Sequence, residues 1–209
     1  MAVKKAKNEG GFSVAEMIVT MLIMLIIMGL VSTLFSRSHS TRTRESSKTD
    51  ALTASQAALN VMSREIANSG YSLITNGMMN DSTADQLHFI SNYWNQNDTM
   101  TDPGENVTYF FEPATQSILR HDAFGGPGGT PQTSIIINRI SRVRFEYFDY
   151  FGSNPVPTGP NAVPSANTGR VRITLTVNME RVVGQVNPDA VVLTSDVTLR
   201  NSDYMLKNY

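Results

Sequence analysis

The sequence predicts an α+β fold, one long N-terminal helix followed by an antiparallel β-sheet head. Three observations carry that expectation. From Phe12 to Phe35 the chain is apolar, with Glu16 as one charge in 24 residues. No proline occurs before Pro103, and an apolar stripe of helical period returns between Leu52 and Ile66. Beyond residue 72 the helical period fades and alternation of period two replaces it. The expected organisation is a short basic leader over residues 1–11, a membrane-spanning helix over 12–35, its amphipathic continuation over 36–70, and a β-rich head over 71–209.

The apolar run is long enough to cross a bilayer. At a rise of about 1.5 Å per residue it reaches roughly 36 Å, against a hydrocarbon core of about 30 Å. A helix buried in a soluble core is usually shorter and striped with polar residues. The order of features differs from a secretory signal, in which a small-residue cleavage site follows the apolar stretch. Here Gly10-Gly11 precedes it, and the chain runs on from Phe35 into SRSHSTRTRESSK. The apolar segment is therefore expected to be retained. Loop charge does not orient it, because Lys4, Lys5 and Lys7 precede the span while Arg37, Arg42, Arg44 and Lys48 follow it.

Past the span, residues 36–50 are polar and rich in Ser, Thr and Arg. Leu52, Leu59, Met62 and Ile66 then recur at spacings that place them on one helix face. Ser69-Gly70 is the expected stop, with the glycine as left-handed cap. A helix from Phe12 to about Asn68 would be roughly 85 Å long. The apolar half of this helix holds Gly29 and no proline, so no proline kink is expected.

In the head, strands are expected over Gln86–Ser91, Val107–Phe111, Ser117–His121, Ile135–Asn138, Val143–Phe151, Val171–Val182 and Ala190–Arg200. Val143, Phe145, Tyr147 and Asp149 alternate with Arg144, Glu146, Phe148 and Tyr150, as on a strand buried on one face. Val171, Ile173, Leu175 and Val177 alternate likewise with Arg172, Thr174 and Thr176. Gly125–Gly129 and Gly152–Gly169 read as loops, the second holding four of the nine prolines. Tyr93 and Trp94 in SNYWNQND read as a cap over the core, with a contact surface as the alternative.

Composition narrows the chemistry. The formal net charge is -1, from 17 basic and 18 acidic residues, so no nucleic-acid partner is expected. The chain has no cysteine, which excludes disulfides, thiolate metal ligands and a cysteine nucleophile. His39, His88 and His121 lack metal-ligand spacing, and His88 reads as a satisfied strand histidine. Asp98, Asp102 and Glu105 flank Pro103-Gly104 without matching a calcium loop. No nucleophile elbow or phosphate loop occurs, so neither a cofactor nor catalysis is expected. Arg139, Arg142, Arg144, Arg170, Arg172 and Arg181 are interleaved with acids, which argues against a DNA-binding head.

The segment GGFSVAEM, Gly10 to Met17, resembles the cleavage signal of type IV pilins and type II secretion pseudopilins. That resemblance implies a prepilin peptidase cut between Gly11 and Phe12 and N-methylation of Phe12. It assigns Glu16, the fifth mature residue, as the carboxylate that docks on the amine of a neighbouring subunit. It places the leader in the cytoplasm and the head outside a bacterial inner membrane, before assembly into a pilus or periplasmic pseudopilus. Cleavage would remove three Lys and one Glu, taking the formal charge from -1 to -3. Arg64-Glu65-Ile66 and Ser69-Gly70-Tyr71 are similar to the helix end of PilW-type minor pilins and J-type minor pseudopilins, without the Cys that often follows the Tyr. Val197-Thr198-Leu199-Arg200-Asn201 resembles a closing strand of the same family, with no role beyond sheet closure. The implied partners are other pilin subunits, the peptidase, an inner-membrane assembly platform and membrane lipid. Two further readings stay open: a minor pseudopilin of a type II secretion system, and a single-pass membrane-anchored binding protein or enzyme.

Overall fold

The computed structural model describes residues 11–94, 99–178 and 190–208. The fold is α+β. Helix α1 (Val14–Ala67) is followed by β1 (Gln86–Ile90), β2 (Asn106–Glu112), β3 (Ser117–Asp122), β4 (Gln132–Ile137), β5 (Ile140–Asp149), β6 (Thr158–Asn161), β7 (Thr168–Val177), β8 (Val191–Thr198) and a short helix α2 (Asp203–Asn208). The chain divides into two units, Met1–Ser46 and Ser47–Tyr209.

In the first unit α1 runs without interruption through Gly29. Every residue from Val14 to Phe35 is exposed. The hydroxyls of Thr20 and Thr33 donate back to the carbonyls of Met17 (2.9 Å) and Leu30 (2.7 Å), which satisfies them inside the helix.

In the second unit the β-strands form two four-stranded sheets rather than one, in the orders β1-β2-β3-β4 and β6-β5-β7-β8. All neighbouring strands pair antiparallel, as the alternation requires. The second sheet has a clean inner face. Phe145 pairs with Ile173, Tyr147 with Val171 and Val143 with Leu175, and all six are fully buried. Leu87, Phe89, Val107, Tyr109 and Ile118 of the first sheet join them, together with Ala58, Leu59, Met62 and Ile66 of α1, in one hydrophobic core. Burial of this apolar surface is the dominant favourable term in a chain without disulfides.

The buried face of α1 is Ser55, Ala58, Leu59, Met62 and Ile66, with Ala51 packed beside it. Leu52 stays half-buried, contrary to the expected stripe, because at 100° per residue it falls at the margin of the sector centred on Ser55 and Met62. Ser55 is tolerated there since its hydroxyl donates to the carbonyl of Ala51 at 2.7 Å.

The helix ends as the Ser69-Gly70 signal predicts, at a Gly70 with φ of 73°. Gly70 N donates to the carbonyl of Ile90 (2.9 Å), and Ile90 N donates to the carbonyl of Gly77 (2.8 Å). Gly77 has φ of 72°, and a Cβ there would meet the Gly70 backbone. The last carbonyl of α1 and one in the turn after it are met from the far end of the chain. Arg200 N donates to Ala67 O (3.0 Å), and the Asn201 amide donates to Ser69 O (3.0 Å). Arg200 and Asn201 therefore cap the helix from a turn beyond β8, a role that sequence reading had limited to closing a strand.

The expected strands are present within three residues at each end, except at the end of the sixth: β7 stops at Val177, Asn178 is no longer in the strand, and residues 179–182 of the expected reach lie outside the described residues. Strand β6 and helix α2 were not expected. Strand β6 carries Gly159-Pro160 and is an edge strand, where a missing N–H breaks no ladder. Phe148 was expected on the outer face of β5 and lies there, yet it is only 6% exposed. The guanidiniums of Arg170 and Arg172 cover its ring at 4.3 and 5.1 Å. Trp94 is 59% and Tyr93 38% exposed, so the pair is a surface feature and not a cap on the core.

Candidate functional site: the apolar helix and its first turn

Gly11, Phe12 and Ser13 lead into α1 without regular structure, and Gly10 lies outside the described residues. A Cβ at Gly11 would meet nothing within 4 Å, so its backbone is open on that side. Phe12 is 80% exposed. The carbonyl of Ser13 accepts from the backbone N–H of Glu16 (3.0 Å) and of Met17 (3.1 Å), which makes Ser13 the helix N-cap. Ser13 with Glu16 three residues on forms the S-x-x-E pattern of a helix start. That local signal was legible in the sequence and was missed there.

Glu16 stands in the first turn of α1 and is exposed. A carboxylate at this position meets the positive end of the helix dipole, so the turn itself favours a charge that the surrounding apolar residues do not. Gly11 and Phe12 thus lie in the short lead-in to α1, and Glu16 in its first turn.

Helix α1 contains an apolar window of membrane-crossing length near the N-terminus, none of it buried. A soluble core helix would bury its apolar side chains; this one buries none before Ser55. Leu22, Met24, Leu25, Met28 and Leu34 are 57 to 73% exposed, a contiguous apolar surface of the kind that marks an interaction or membrane face. The helix is therefore a candidate membrane anchor. Just beyond it the hydroxyls of Ser40 and Thr41 donate to Arg37 O (2.9 and 3.0 Å), and Thr43 donates to His39 O (3.1 Å), in a polar stretch suited to a headgroup region or water.

At the other end of α1, the R-E-I step divides its work among three environments. Arg64 is exposed and Ile66 is fully buried. Glu65 turns towards the first sheet, where its Oε2 accepts from the Tyr109 hydroxyl (2.7 Å) and from Arg120 Nε (2.9 Å). Arg120 Nη1 donates in turn to Asp122 Oδ2 at 3.1 Å. Burial and the neighbouring Glu65 charge push the Tyr109 hydroxyl well above its usual range. Burial lowers the Arg120 guanidinium, but its contacts with Glu65, Tyr109 and Asp122 together hold it above its ordinary value.

The remaining candidates are structural. His88 Nδ1 lies 2.8 Å from Asp81 Oδ1 and Nε2 lies 2.9 Å from Asn106 Oδ1, so both ring nitrogens have polar partners within the head. Glu105 is fully buried, and its two oxygens accept from the backbone N–H of Trp94 and Asp102, both at 3.1 Å. It is committed to the loop and not turned to a cation; Asp98 lies outside the described residues. Among the described residues no cluster of three or more His, Asp or Glu groups is placed to hold a metal. Of the head arginines, Arg144 pairs with Glu146 (3.2 Å) and Arg172 with Asp196 (2.8 Å), while Arg181 lies outside the described residues.

No family model, curated protein or solved structure matches the chain, so the functional reading rests on the apolar helix, its first turn and the residues around them.

Proposed function

We propose that the chain is the precursor of a structural minor pilin of a type IV pilus. In this reading a prepilin peptidase cuts between Gly11 and Phe12, and the new amine of Phe12 is methylated. The exposed helix from Phe12 to Phe35 waits in the inner membrane, with the head outside, until an assembly platform draws it into a filament. There Glu16 neutralises the N-terminal amine of a neighbouring subunit. In a low-dielectric setting such a pair is worth far more than in water, and an unpaired carboxylate would be costly. The subunit acts by packing and not by catalysis.

One observation carries the reading: Glu16, the single charge of the exposed apolar stretch from Phe12 to Phe35, lies in the first turn of α1, four residues after Phe12. The same chemistry serves a minor pseudopilin of a type II secretion system, and the location of the assembled subunit separates the two. The test is the mature N-terminus together with incorporation. Mass analysis of the membrane-extracted chain is expected to begin at Phe12. Glu16→Ala is expected to leave the protein inserted but reduce its recovery in sheared filaments at least tenfold. An N-terminus elsewhere, or undiminished recovery of the variant, would reject the reading.

A further inference from the structure

A hollow of about 440 Å3 opens on the head between the end of α1 and the loop after β1, lined by Glu65, Tyr93, Trp94, Pro103, Gly104 and Arg120. Its size falls in the range of small-molecule sites, and its lining combines aromatic surface with few polar groups.

The aromatic wall is held in place. Trp94 is 59% exposed, yet its backbone N–H is bound by the fully buried carboxylate of Glu105 at 3.1 Å. Ser91 N donates to Glu105 O (2.8 Å), Asn92 N donates to Tyr71 O (2.9 Å), and Tyr71 stacks on Tyr93 at 5.6 Å. Gly104 N is fixed by Asp122 Oδ2 at 2.8 Å. Burying a charge to brace a loop is costly unless the carboxylate is fully bonded. Here that bracing fixes the backbone of a residue whose large aromatic ring is 59% exposed, which packing alone does not call for.

The polar floor is partly spent. Glu65 Oε2 is taken by Tyr109 and Arg120, and Arg120 Nε and Nη1 are taken by Glu65 and Asp122. Glu65 and Arg120 both line the hollow, and none of these three bonds uses Glu65 Oε1 or Arg120 Nη2. An anionic ligand would compete with Glu65 and Asp122 for Arg120. A cationic ligand would compete with Arg120 for Glu65. A hydroxyl both donates and accepts without a charge, so a neutral ligand with adjacent hydroxyls and an apolar ring face fits both the floor and the wall.

We propose that this hollow binds a neutral saccharide, one pyranose ring lying on the Trp94 indole with two of its hydroxyls bonded to Glu65 and Arg120. The site is independent of the filament reading and would serve equally in any membrane-anchored head.

Trp94 is the one tryptophan of the chain, so its emission reports the site directly. The full chain, held in a detergent without a sugar headgroup, is titrated with glucose, galactose, N-acetylglucosamine, lactose and cellobiose. At least one is expected to give a saturable change in Trp94 emission with a millimolar dissociation constant, and saturation transfer to its ring protons by NMR. Trp94→Ala is read by NMR and is expected to weaken binding at least about tenfold with an unchanged melting midpoint, and Glu65→Gln to weaken it by a similar factor. Absence of a saturable response to all five sugars would overturn the proposal, as would undiminished transfer in Trp94→Ala. A response to charged ligands alone, or an emission change on diluting the protein that marks the face as a subunit contact, would overturn it equally.

Discussion

Glu65, on α1, accepts a 2.9 Å hydrogen bond from Nε of Arg120, on β3, and the same carboxylate oxygen accepts the Tyr109 hydroxyl at 2.7 Å. This one carboxylate ties the C-terminal turn of the helix to the middle of the first sheet. The side chains of Arg120 and Glu65 are 19% and 31% exposed, so the pair is partly shielded from water and its loss leaves polar groups stranded.

Glu65→Ala is therefore expected to destabilise the head by about 1–3 kcal/mol, through the unsatisfied Arg120 and Tyr109 groups. For a chain of this size that is a fall of roughly 2–4 °C in melting midpoint per kcal/mol. Tyr109→Phe, which removes only one bond, is expected to cost about 0.5–1.5 kcal/mol. Differential scanning calorimetry of the full chain in detergent checks both, and equal midpoints for native and Glu65→Ala would remove the tie from the account.

Alkaline pH should find the buried tyrosines. Burial pushes the Tyr109 and Tyr147 hydroxyls above their ordinary value of 10.0. A folded-state value raised above the unfolded one means that the folded form holds the proton more tightly. The stabilisation is complete below the unfolded value and is lost as pH climbs past 10 towards the raised folded values. Urea midpoints are expected to fall steeply above that pH, and less steeply in Tyr109→Phe and Tyr147→Phe than in the native chain.

Acid acts on a different pair. The hydrogen bond from Arg172 holds the Asp196 carboxyl below its ordinary value of 3.8. Its contribution is present above that value and is lost as pH drops through the lowered one. The pair is well exposed, so the effect is small and salt-sensitive. Asp196→Asn is expected to flatten the acid limb of the stability profile slightly, and more so at low ionic strength.

Two glycines with similar backbone angles should respond differently to alanine. Gly77 and Gly128 have φ of 72° and 70°. The left-handed conformation alone costs roughly 1–2 kcal/mol for a residue with a Cβ. At Gly128 nothing lies within 4 Å of that Cβ, whereas at Gly77 it meets the Gly70 backbone and Ile90 O. Gly77→Ala is expected to cost clearly more than Gly128→Ala, measured by chemical denaturation; equal costs would mean that the crossing of residues 70, 77 and 90 yields freely.

Met62→Ala and Leu25→Ala separate the two parts of α1. Met62 is fully buried, so its truncation is expected to cost about 2–5 kcal/mol. Leu25 is 70% exposed, so Leu25→Ala should leave the head's denaturation midpoint where it is. A matching loss in both variants would place Leu25 in a folded core.

The apolar run, the cleavage-like GGFSVAEM segment, the position of Glu16 and most strands were legible in the sequence. Each is a local pattern: a run of one polarity, a cap residue, or an alternation of period two, written in neighbouring residues. Leu52 shows the limit of that reading, since a spacing of seven placed it on the stripe and the curvature of the buried sector left it at the edge. Only the tertiary structure decided that the head has two sheets, that Arg200 and Asn201 close the helix end, and that Trp94 faces water above Glu65 and Arg120. Those relationships join residues 26 to 133 positions apart, and no periodicity in the chain encodes such a distance. They follow from which surfaces bury together once the helix stripe and the two inner sheet faces close on one core.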